Sequence, residues 1–204
     1  MITTFELLKS SVYMGHQHTR WNTRMYEYML YKMNKTYIIN TWYTMWILKK
    51  GMRLIKEVIE EEGRVKIIVE RKQKDGLLEN KLIKKDNMLK KIDISETDEI
   101  KPGMLSNREH KERMKVPEVM FVQNEIKNKE LLCEGERVKI PVITIISTAS
   151  TPDKISYGIP GNSNTEDALN LYGRVLERVL EMGIKGRGMK YKKQYKIYEI
   201  LKRK

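Results

Sequence analysis

The sequence predicts an α/β layered fold with about five mainly parallel strands. Three short runs are nearly continuous in apolar, largely β-branched residues: Val65–Glu70, Glu118–Gln123 and Val142–Ser147. Continuity indicates that both faces of a strand are covered, which is typical of parallel strands between helix layers. Lys35–Asn40 is a fourth candidate strand and Lys90–Ser95 a fifth. Helical periodicity between the strands implies right-handed crossovers.

The first long helix is predicted after Asn40. Asn40 or Thr41 can cap its start, and Gly63 can end it. Gly51 lies inside this helix and costs about 1 kcal/mol relative to Ala, which packing has to outweigh. The apolar face is predicted from residues that recur every three or four positions, namely Trp42, Met45, Trp46, Met52, Ile55 and Ile59.

The last helix is predicted between Ser163 and Gly183. Ser163 and Glu166 have the spacing of a capping box, and Gly183 provides a helix end. The GIKGRG sequence near Gly183 is predicted to be a flexible basic hinge. One apolar stripe comprises Ala168, Leu169, Tyr172, Val175, Leu176, Val179 and Leu180.

Two segments are less regular. Arg71–Lys115 contains thirteen Lys or Arg against nine Asp or Glu. It is predicted to hold a short helix near Asn80–Lys91, then a strand, then an exposed basic excursion. Thr151–Ala168 has two interpretations: a rigid surface that contacts a partner, or simply the connection from a strand to the last helix.

The charge of the chain is concentrated at its carboxyl end. The formal net charge is +13; Ile184–Lys204 has nine Lys or Arg against one Glu, so it carries +8 and the remaining residues +5. A polyanion partner, either nucleic acid or an anionic membrane surface, is indicated for this tail. A solvated, Lys-rich face is the alternative for the rest of the chain.

Gly15–Asn40 combines the residue types that bind folded nucleic acid. Phosphates can be contacted by Arg20, Arg24, Lys32 and Lys35. Bases can be stacked, or a core filled, by Trp21, Tyr26, Tyr28 and Tyr31.

No catalytic, cofactor or metal site emerges from the sequence. No glycine-rich nucleotide fingerprint follows a predicted strand, and no Ser stands in a GxSxG elbow. His16 and His18 form an H-x-H pair, but His110 is distant in sequence, so hydrogen bonding to RNA or to backbone is favoured over metal binding. The single Cys133 excludes an internal disulfide framework and is predicted to be a small buried side chain.

The sequence also bears on location. No run approaches the ~18 apolar residues of a membrane span. The amino terminus, MITTFELLKSS, has neither an apolar signal region nor an Arg-rich presequence, so the chain is expected to work where it is made or to have lost a targeting segment. Only Ala149 and Ala168 occur beside abundant Lys, Ile, Asn and Tyr, a bias that points to an AT-rich genome and an organelle.

Five sequence motifs occur in a fixed order along the chain: GHQ with TRWN, then NKTYIIN, GMLSN (Gly103–Asn107), PEVMFV (Pro117–Val122) and IPVITIISTASTPDKISYGIPGN (Ile140–Asn162). Together they resemble the small-subunit ribosomal protein S2 family of bacteria and organelles. The resemblance extends from Phe5 to Gly183. The matching residues are Gly15, His16, Gln17, Arg20, Trp21, Asn22, Lys35, Gly103, Asn107, Pro160, Gly161 and Asn162.

The resemblance implies a Rossmann-like or flavodoxin-like sheet of five parallel strands with helices on both faces. It implies a structural protein without catalysis, cofactor, membrane contact or small-molecule substrate. Such a protein binds small-subunit rRNA and neighbouring ribosomal proteins near the head–body junction and supports translation. Three regions follow: a docking segment (1–34), an α/β domain (35–183) and a basic extension (184–204).

The RNA-binding residues are expected from two sources. The resemblance implies His16, Gln17, Arg20, Trp21, Asn22, Lys35 and Asn107. Local positive charge adds Arg24, Lys32, Arg108, Arg187, Lys190, Lys192 and Lys193.

The chain departs from the bacterial pattern. Bacterial members carry a long helical hairpin between the GMLTN element and the following strand, whereas only Arg108–Val116 fills this gap here. The hairpin is therefore expected to be absent. Shortening, residue bias and the missing presequence together point to a mitochondrial ribosome, with a plastid ribosome as the alternative.

Two other functions stay open at this point. An α/β enzyme acting on nucleotides or RNA would need a polar pocket at the carboxyl ends of the strands. A membrane-surface protein would be held by its basic tail.

Overall fold

The described part of the chain forms eight strands in two sheets, together with four α-helices. The computed structural model describes residues 2–70, 91–97, 100, 103–105, 116–152 and 155–202, without the side chains of residues 18 and 190–202. The helices are α1 (Thr4–Lys9), α2 (Thr41–Glu60), α3 (Lys129–Val138) and α4 (Glu166–Lys202). The strands are β1 (Met14–Gln17), β2 (Met29–Met33), β3 (Thr36–Ile39), β4 (Val65–Val69), β5 (Ile92–Glu96), β6 (Val119–Val122), β7 (Val142–Ile146) and β8 (Tyr157–Pro160).

Five strands form a parallel sheet in the order β5-β4-β6-β7-β8. Numbered along the chain, this order is 2-1-3-4-5, which is that of the flavodoxin-like folds. The predicted α/β class with a five-stranded parallel sheet is thus confirmed. The strand order reverses between β4 and β6.

Both faces of the sheet are covered, as the continuous apolar strands predicted. Val65 and Ile67 of β4 pack with α1, α2 and α4 in the larger core, whereas Ile68 packs with α3 in a second core. Phe121 and Met120 of β6 are divided between the two cores in the same way. Alternate side chains point to opposite faces, so a strand between two helix layers is apolar at most of its positions. The exception in β4 is the buried Lys66, which pairs with Asp93.

One predicted strand belongs to a different sheet. β3, within Lys35–Asn40, pairs antiparallel with both β1 and β2 in a separate three-stranded sheet. The fifth parallel strand is instead β8, inside Thr151–Ala168, which had been interpreted as a surface or a connection. The sequence did not predict this strand, because Pro160 argues against a strand in the middle of a sheet. β8 is an edge strand, where a proline is tolerated.

The ends of α2 follow from local chemistry. Asn40 caps the start, since its side-chain oxygen accepts the Trp42 N–H at 3.1 Å. At the other end Glu62 has a φ of 62°, and the Gly63 N–H donates to the Val58 carbonyl at 2.7 Å. This is a Schellman arrangement in which Glu62, not Gly63, takes the left-handed position. Glu62 also pairs with Lys91 at 2.8 Å.

The buried face of α2 is shifted from the predicted one. Trp42 and Trp46 are 65% and 50% exposed, so their assignment to the core was wrong. Gly51 lies in the buried face, where a Cβ would come within 3.0 Å of Ile143 Cγ2. Its missing side chain therefore lets α2 approach β7 closely. The buried positions are Thr44, Leu48, Gly51, Met52, Ile55 and Ile59.

Helix α4 carries the predicted apolar stripe, every member of which is buried. The predicted end at Gly183 was wrong, because the helix continues to Lys202. A Cβ on Gly183 would lie 2.9 Å from Ile59 Cγ2, and one on Gly186 would collide with Glu60. These glycines allow α4 to pack closely on α2 rather than ending the helix.

Other predictions have mixed outcomes. Cys133 is partly exposed rather than buried. The predicted helix near Asn80–Lys91 and the basic excursion lie almost entirely outside the described residues. Within the described ranges, no helix has the length and apolarity required to cross a membrane.

Candidate RNA-binding surface

The amino-terminal segment is fastened across the carboxyl ends of β7 and β8. Thr148, just after β7, accepts the Asn22 N–H through its carbonyl at 2.8 Å. Gly15 lies against the same residue, where a Cβ would come within 2.5 Å of Thr148 Cγ2 and 2.8 Å of the Tyr37 carbonyl. Only glycine allows this close approach.

A second attachment follows β8. The Asn162 N–H donates to the Val12 carbonyl at 3.0 Å, and its side-chain amide donates to the Ser11 carbonyl at 3.2 Å. Gly161 lies against the Tyr172 hydroxyl, so a side chain here would displace the helix α4 residue below it. Residues 11–22 and the segments after β7 and β8 thus bind each other.

His16 links both attachments. Its backbone N–H donates to Thr148 Oγ1 at 2.7 Å, and its Nδ1 lies 3.5 Å from the same oxygen. The side-chain amide of Asn164 donates to Nε2 at 2.8 Å, which places the imidazole proton on Nδ1. Partial burial, and then the charge of Arg20, lower the pKa of His16 below its ordinary value of 6.5. His16 is therefore a neutral structural residue at neutral pH.

β3 brings several of the predicted residues together. Gln17, at the end of β1, is exposed and pairs with Thr36, the residue that follows Lys35. Trp21 is partly buried and packs on Tyr37, with ring centroids 5.0 Å apart. Gln17 thus pairs with the strand that Lys35 precedes, and Trp21 packs beside the same strand.

Two arginines lie on either side of Trp21 and Asn22 in the sequence. Arg20 and Arg24 are both exposed. Asn22 caps the 3-10 helix Thr23–Tyr28, because its side-chain oxygen accepts the Arg24 N–H at 3.0 Å. Asn22 therefore positions Arg24, and its own side chain is engaged within the chain.

The tip of the β2–β3 hairpin presents two lysines. Lys32 is exposed on β2, and Lys35 occupies the second position of the two-residue turn between Met33 and Thr36. Asn34 and Lys35 have φ values of 44° and 66°, as in type I′ hairpin turns. We name the exposed residues Gln17, Arg20, Arg24, Lys32 and Lys35 the amino-terminal surface.

Arg187 does not belong to this surface. It lies far along α4, about 30 Å from Glu166 at a rise of 1.5 Å per residue. Its charge, after the hydrogen bond and charge of Lys91, contributes to lowering the pKa of Glu62 at the end of α2. Lys190, Lys192 and Lys193 continue the same helix, but their side chains lie outside the description. Basic charge is thus placed at two separated ends of the molecule.

The GMLSN element is described only over residues 103–105. Gly103 has a φ of 82°, and its N–H donates to the Glu134 carboxylate of α3. The Leu105 N–H donates to the other oxygen of Glu134 at 2.9 Å. Asn107 and Arg108 lie outside the described residues, and His18 is described by its backbone alone.

The sequence did not reveal Thr148, Asn164 and Glu134 as the residues that hold these motifs. Each acts across a sequence separation that no local pattern encodes. In the part of the chain that the structure describes, no cluster of three or more His, Cys, Asp or Glu could hold a metal ion.

The fold and the surface thus define a basic protein of the Rossmann-like α/β class. Its amino-terminal segment is bound to the carboxyl edge of its own sheet. The family model for ribosomal protein S2 matches residues 7–109 and 78–183. The chain therefore belongs to the ribosomal protein S2 family, whose members are structural components of ribosomes and not enzymes. The enzyme alternative is accordingly wrong.

Similar curated proteins carry one name. "Small ribosomal subunit protein uS2" of Corynebacterium urealyticum is 25% identical over 92% of this chain and 84% of its own length. The proteins of the same name from Bartonella quintana and Bartonella tribocorum are 26% and 27% identical, each over 89% of this chain and over 86% and 83% of their own lengths. These relatives are bacterial.

Proposed function

We propose that this chain is a structural component of the small ribosomal subunit and binds rRNA through its amino-terminal surface. Family membership supports the ribosomal role. The observation that carries the RNA contact is the binding of residues 15–22 to the loops after β7 and β8, which leaves Gln17, Arg20 and Arg24 exposed within one short stretch of the chain.

The charge of this region suits a phosphate backbone. Gly15–Asn40 contains four Lys or Arg against one Glu. Arginine and lysine contacts to phosphates position a protein on RNA, and a fixed backbone reduces the ordering cost of those contacts. We also propose neighbouring ribosomal proteins as partners of this chain. The division into regions 1–34, 35–183 and 184–204 is part of the same proposal. Because β3 follows residue 34 and pairs with both strands before it, regions one and two share a sheet.

We assign the protein to the mitochondrial ribosome of the matrix. The support is the AT-rich residue bias and the shortening at Arg108–Val116. The alignment with the Corynebacterium protein covers 227 positions, more than the 204 residues of this chain, so it includes residues that this chain lacks. Immunodetection of the chain in fractionated organelles tests the location; a plastid or cytosolic signal would contradict it.

The RNA contact is tested by replacing Arg20 and Arg24 together with Ala and measuring cosedimentation with the small subunit across a salt series. Each lost phosphate contact removes roughly 0.7–0.9 from the salt slope, so binding should weaken and depend less steeply on salt. Lys129→Ala with Arg137→Ala on α3 removes the same charge from exposed sites elsewhere. Equal effects of the two pairs would contradict a specific amino-terminal contact.

A further inference from the structure

An exposed pair of tryptophans on α2 has no role in the surface described above. Trp42 and Trp46 are 65% and 50% exposed and lie four residues apart, on one side of the helix. The chain has three tryptophans, and the third, Trp21, packs on Tyr37. Neighbouring exposed aromatic residues on a helix that already buries its other face indicate a contact surface.

Cationic side chains lie on the same side of the helix as the two tryptophans. Lys49, Lys50 and Arg53 are exposed, and Lys50 Nζ lies 3.5 Å from the centroid of the Trp46 ring. In the described ranges, neither Lys49 nor Arg53 forms an ion pair. At about 100° per residue, these five side chains fall within an arc of roughly 100°. No acidic residue occurs in the stripe before Glu57.

The stripe also adjoins the amino-terminal region. Tyr43, exposed beside Trp42, packs edge-on against Tyr28, with ring centroids 5.9 Å apart. Tyr28 precedes β2, and its carbonyl accepts the Asn40 N–H at 2.8 Å. The start of α2 is therefore continuous with the hairpin that carries Lys32.

We propose that Trp42, Trp46, Lys49, Lys50 and Arg53, named here the α2 stripe, bind unpaired nucleotides of RNA. The Trp42 ring and the face of Trp46 that Lys50 does not cover stack on bases, and the three cations contact the adjoining phosphates. Stacking requires bases that are free of a duplex, which makes single-stranded RNA the ligand class. The proposal rests on the proposed function, since it specifies which kind of rRNA segment the protein contacts.

Charge decides between RNA and an apolar protein partner. An apolar partner is matched by an apolar patch whose centre is depleted of charge. Here three cations share the arc of the two tryptophans, and one of them lies over an indole ring. Aromatic faces interleaved with cations are the combination that binds single strands.

The test uses tryptophan fluorescence of the full chain. With Trp21→Phe, all remaining indole emission comes from the α2 stripe, and the variant is titrated with a poly(U) single strand or with poly(A)·poly(U) duplex. We expect quenching by the single strand and much less by the duplex. Replacing Trp42 and Trp46 with Ala should weaken single-strand binding by about 5- to 150-fold per stacked base.

The matched control is Phe5→Ala with Leu8→Ala, an exposed apolar pair on α1 at 71% and 50% exposure. This pair should leave the affinity for the single strand unchanged. If the single strand and the duplex quench the fluorescence equally, or neither quenches it, the α2 stripe does not bind unpaired nucleotides. The proposed contact of Arg20 and Arg24 with rRNA, which cosedimentation measures, is not affected by that result. Shielding of these tryptophans in the assembled particle without any response to RNA overturns the proposed RNA contact of the α2 stripe in favour of a protein partner.

Discussion

The His16 side chain is held by hydrogen bonds within the chain. Both of its ring nitrogens have partners within the chain, Thr148 and Asn164. The sequence predicted hydrogen bonds to RNA or to backbone, whereas the observed partners of the ring within the chain are two side chains. The imidazole links β1 to the loops after β7 and β8.

This role makes the stability of the protein depend on pH. Because the pKa of folded His16 lies below 6.5, the unfolded state binds the proton more readily. The contribution of His16 is fully present above pH 6.5 and is lost as the pH falls towards the lower pKa of the folded state. We expect the unfolding midpoint to decrease over this range more steeply for the native chain than for His16→Gln.

The pH prediction is checked by denaturant unfolding at several pH values. His16→Gln supplies the control because it keeps a polar group and removes the titration. Parallel pH profiles of the two proteins would show that the imidazole is not held in the neutral form.

Lys35 occupies a left-handed backbone position that costs a non-glycine residue about 1–2 kcal/mol. Lys35→Gly should therefore raise the free energy of unfolding by about 1 kcal/mol, while removing a cation from the amino-terminal surface and weakening RNA binding. Lys32→Gly, in the neighbouring strand, should destabilise instead, because strands disfavour glycine. Thermal unfolding with RNA titration measures both effects; a stability loss in Lys35→Gly would contradict the strained turn.

At the scale of elements, two interpretations of the α4 glycines are distinguished by the sign of the stability change when a glycine is replaced by Ala. If Gly183 packs on Ile59, Gly183→Ala should destabilise the protein by about 1–3 kcal/mol through overpacking. If it only ended a helix or formed a hinge, no clash would arise. Gly188 has nothing within 4 Å of a built Cβ, so Gly188→Ala should stabilise the helix by up to about 1 kcal/mol.

Chemical denaturation of the two variants decides this point. Stabilisation by both substitutions would contradict the close packing of α4 on α2. Destabilisation by both would mean that Gly188 has a contact of its own.

The sequence predicts elements where burial determines the residue pattern. β4, β6 and β7 were evident because both of their faces are covered, and the α4 stripe because one face is. β8 was missed since its edge position tolerates Pro160. The face of α2 was misplaced because Trp42 and Trp46 share the apolar period of a core, although Lys49, Lys50 and Arg53 follow them on the same side.

The candidate surface was predictable only in part. The motif residues His16 and Asn162 were identified, but not their partners, which are Thr148 and Asn164 for His16 and Ser11 and Val12 for Asn162. Local periodicity contains no information on contacts between residues that are more than a hundred positions apart. The role of Gly183 in α4 could not be predicted for the same reason, because it depends on Ile59 of another helix.

For the whole molecule, the parallel sheet acts as a spacer between two basic regions. The amino-terminal surface lies at the carboxyl ends of β7 and β8, whereas Arg187 lies near Glu62, before β4 begins. The tail charge of +8 continues from the second region. Two separated cationic regions suit a protein that contacts folded RNA at more than one point.

Binding of this chain to rRNA is tested by a density map of the small ribosomal subunit purified from cells that contain the chain. We expect density for the α/β domain, with Arg20 and Arg24 of the amino-terminal surface against rRNA phosphates. A particle that lacks the chain, or that holds it with this surface turned to solvent, would contradict the claim.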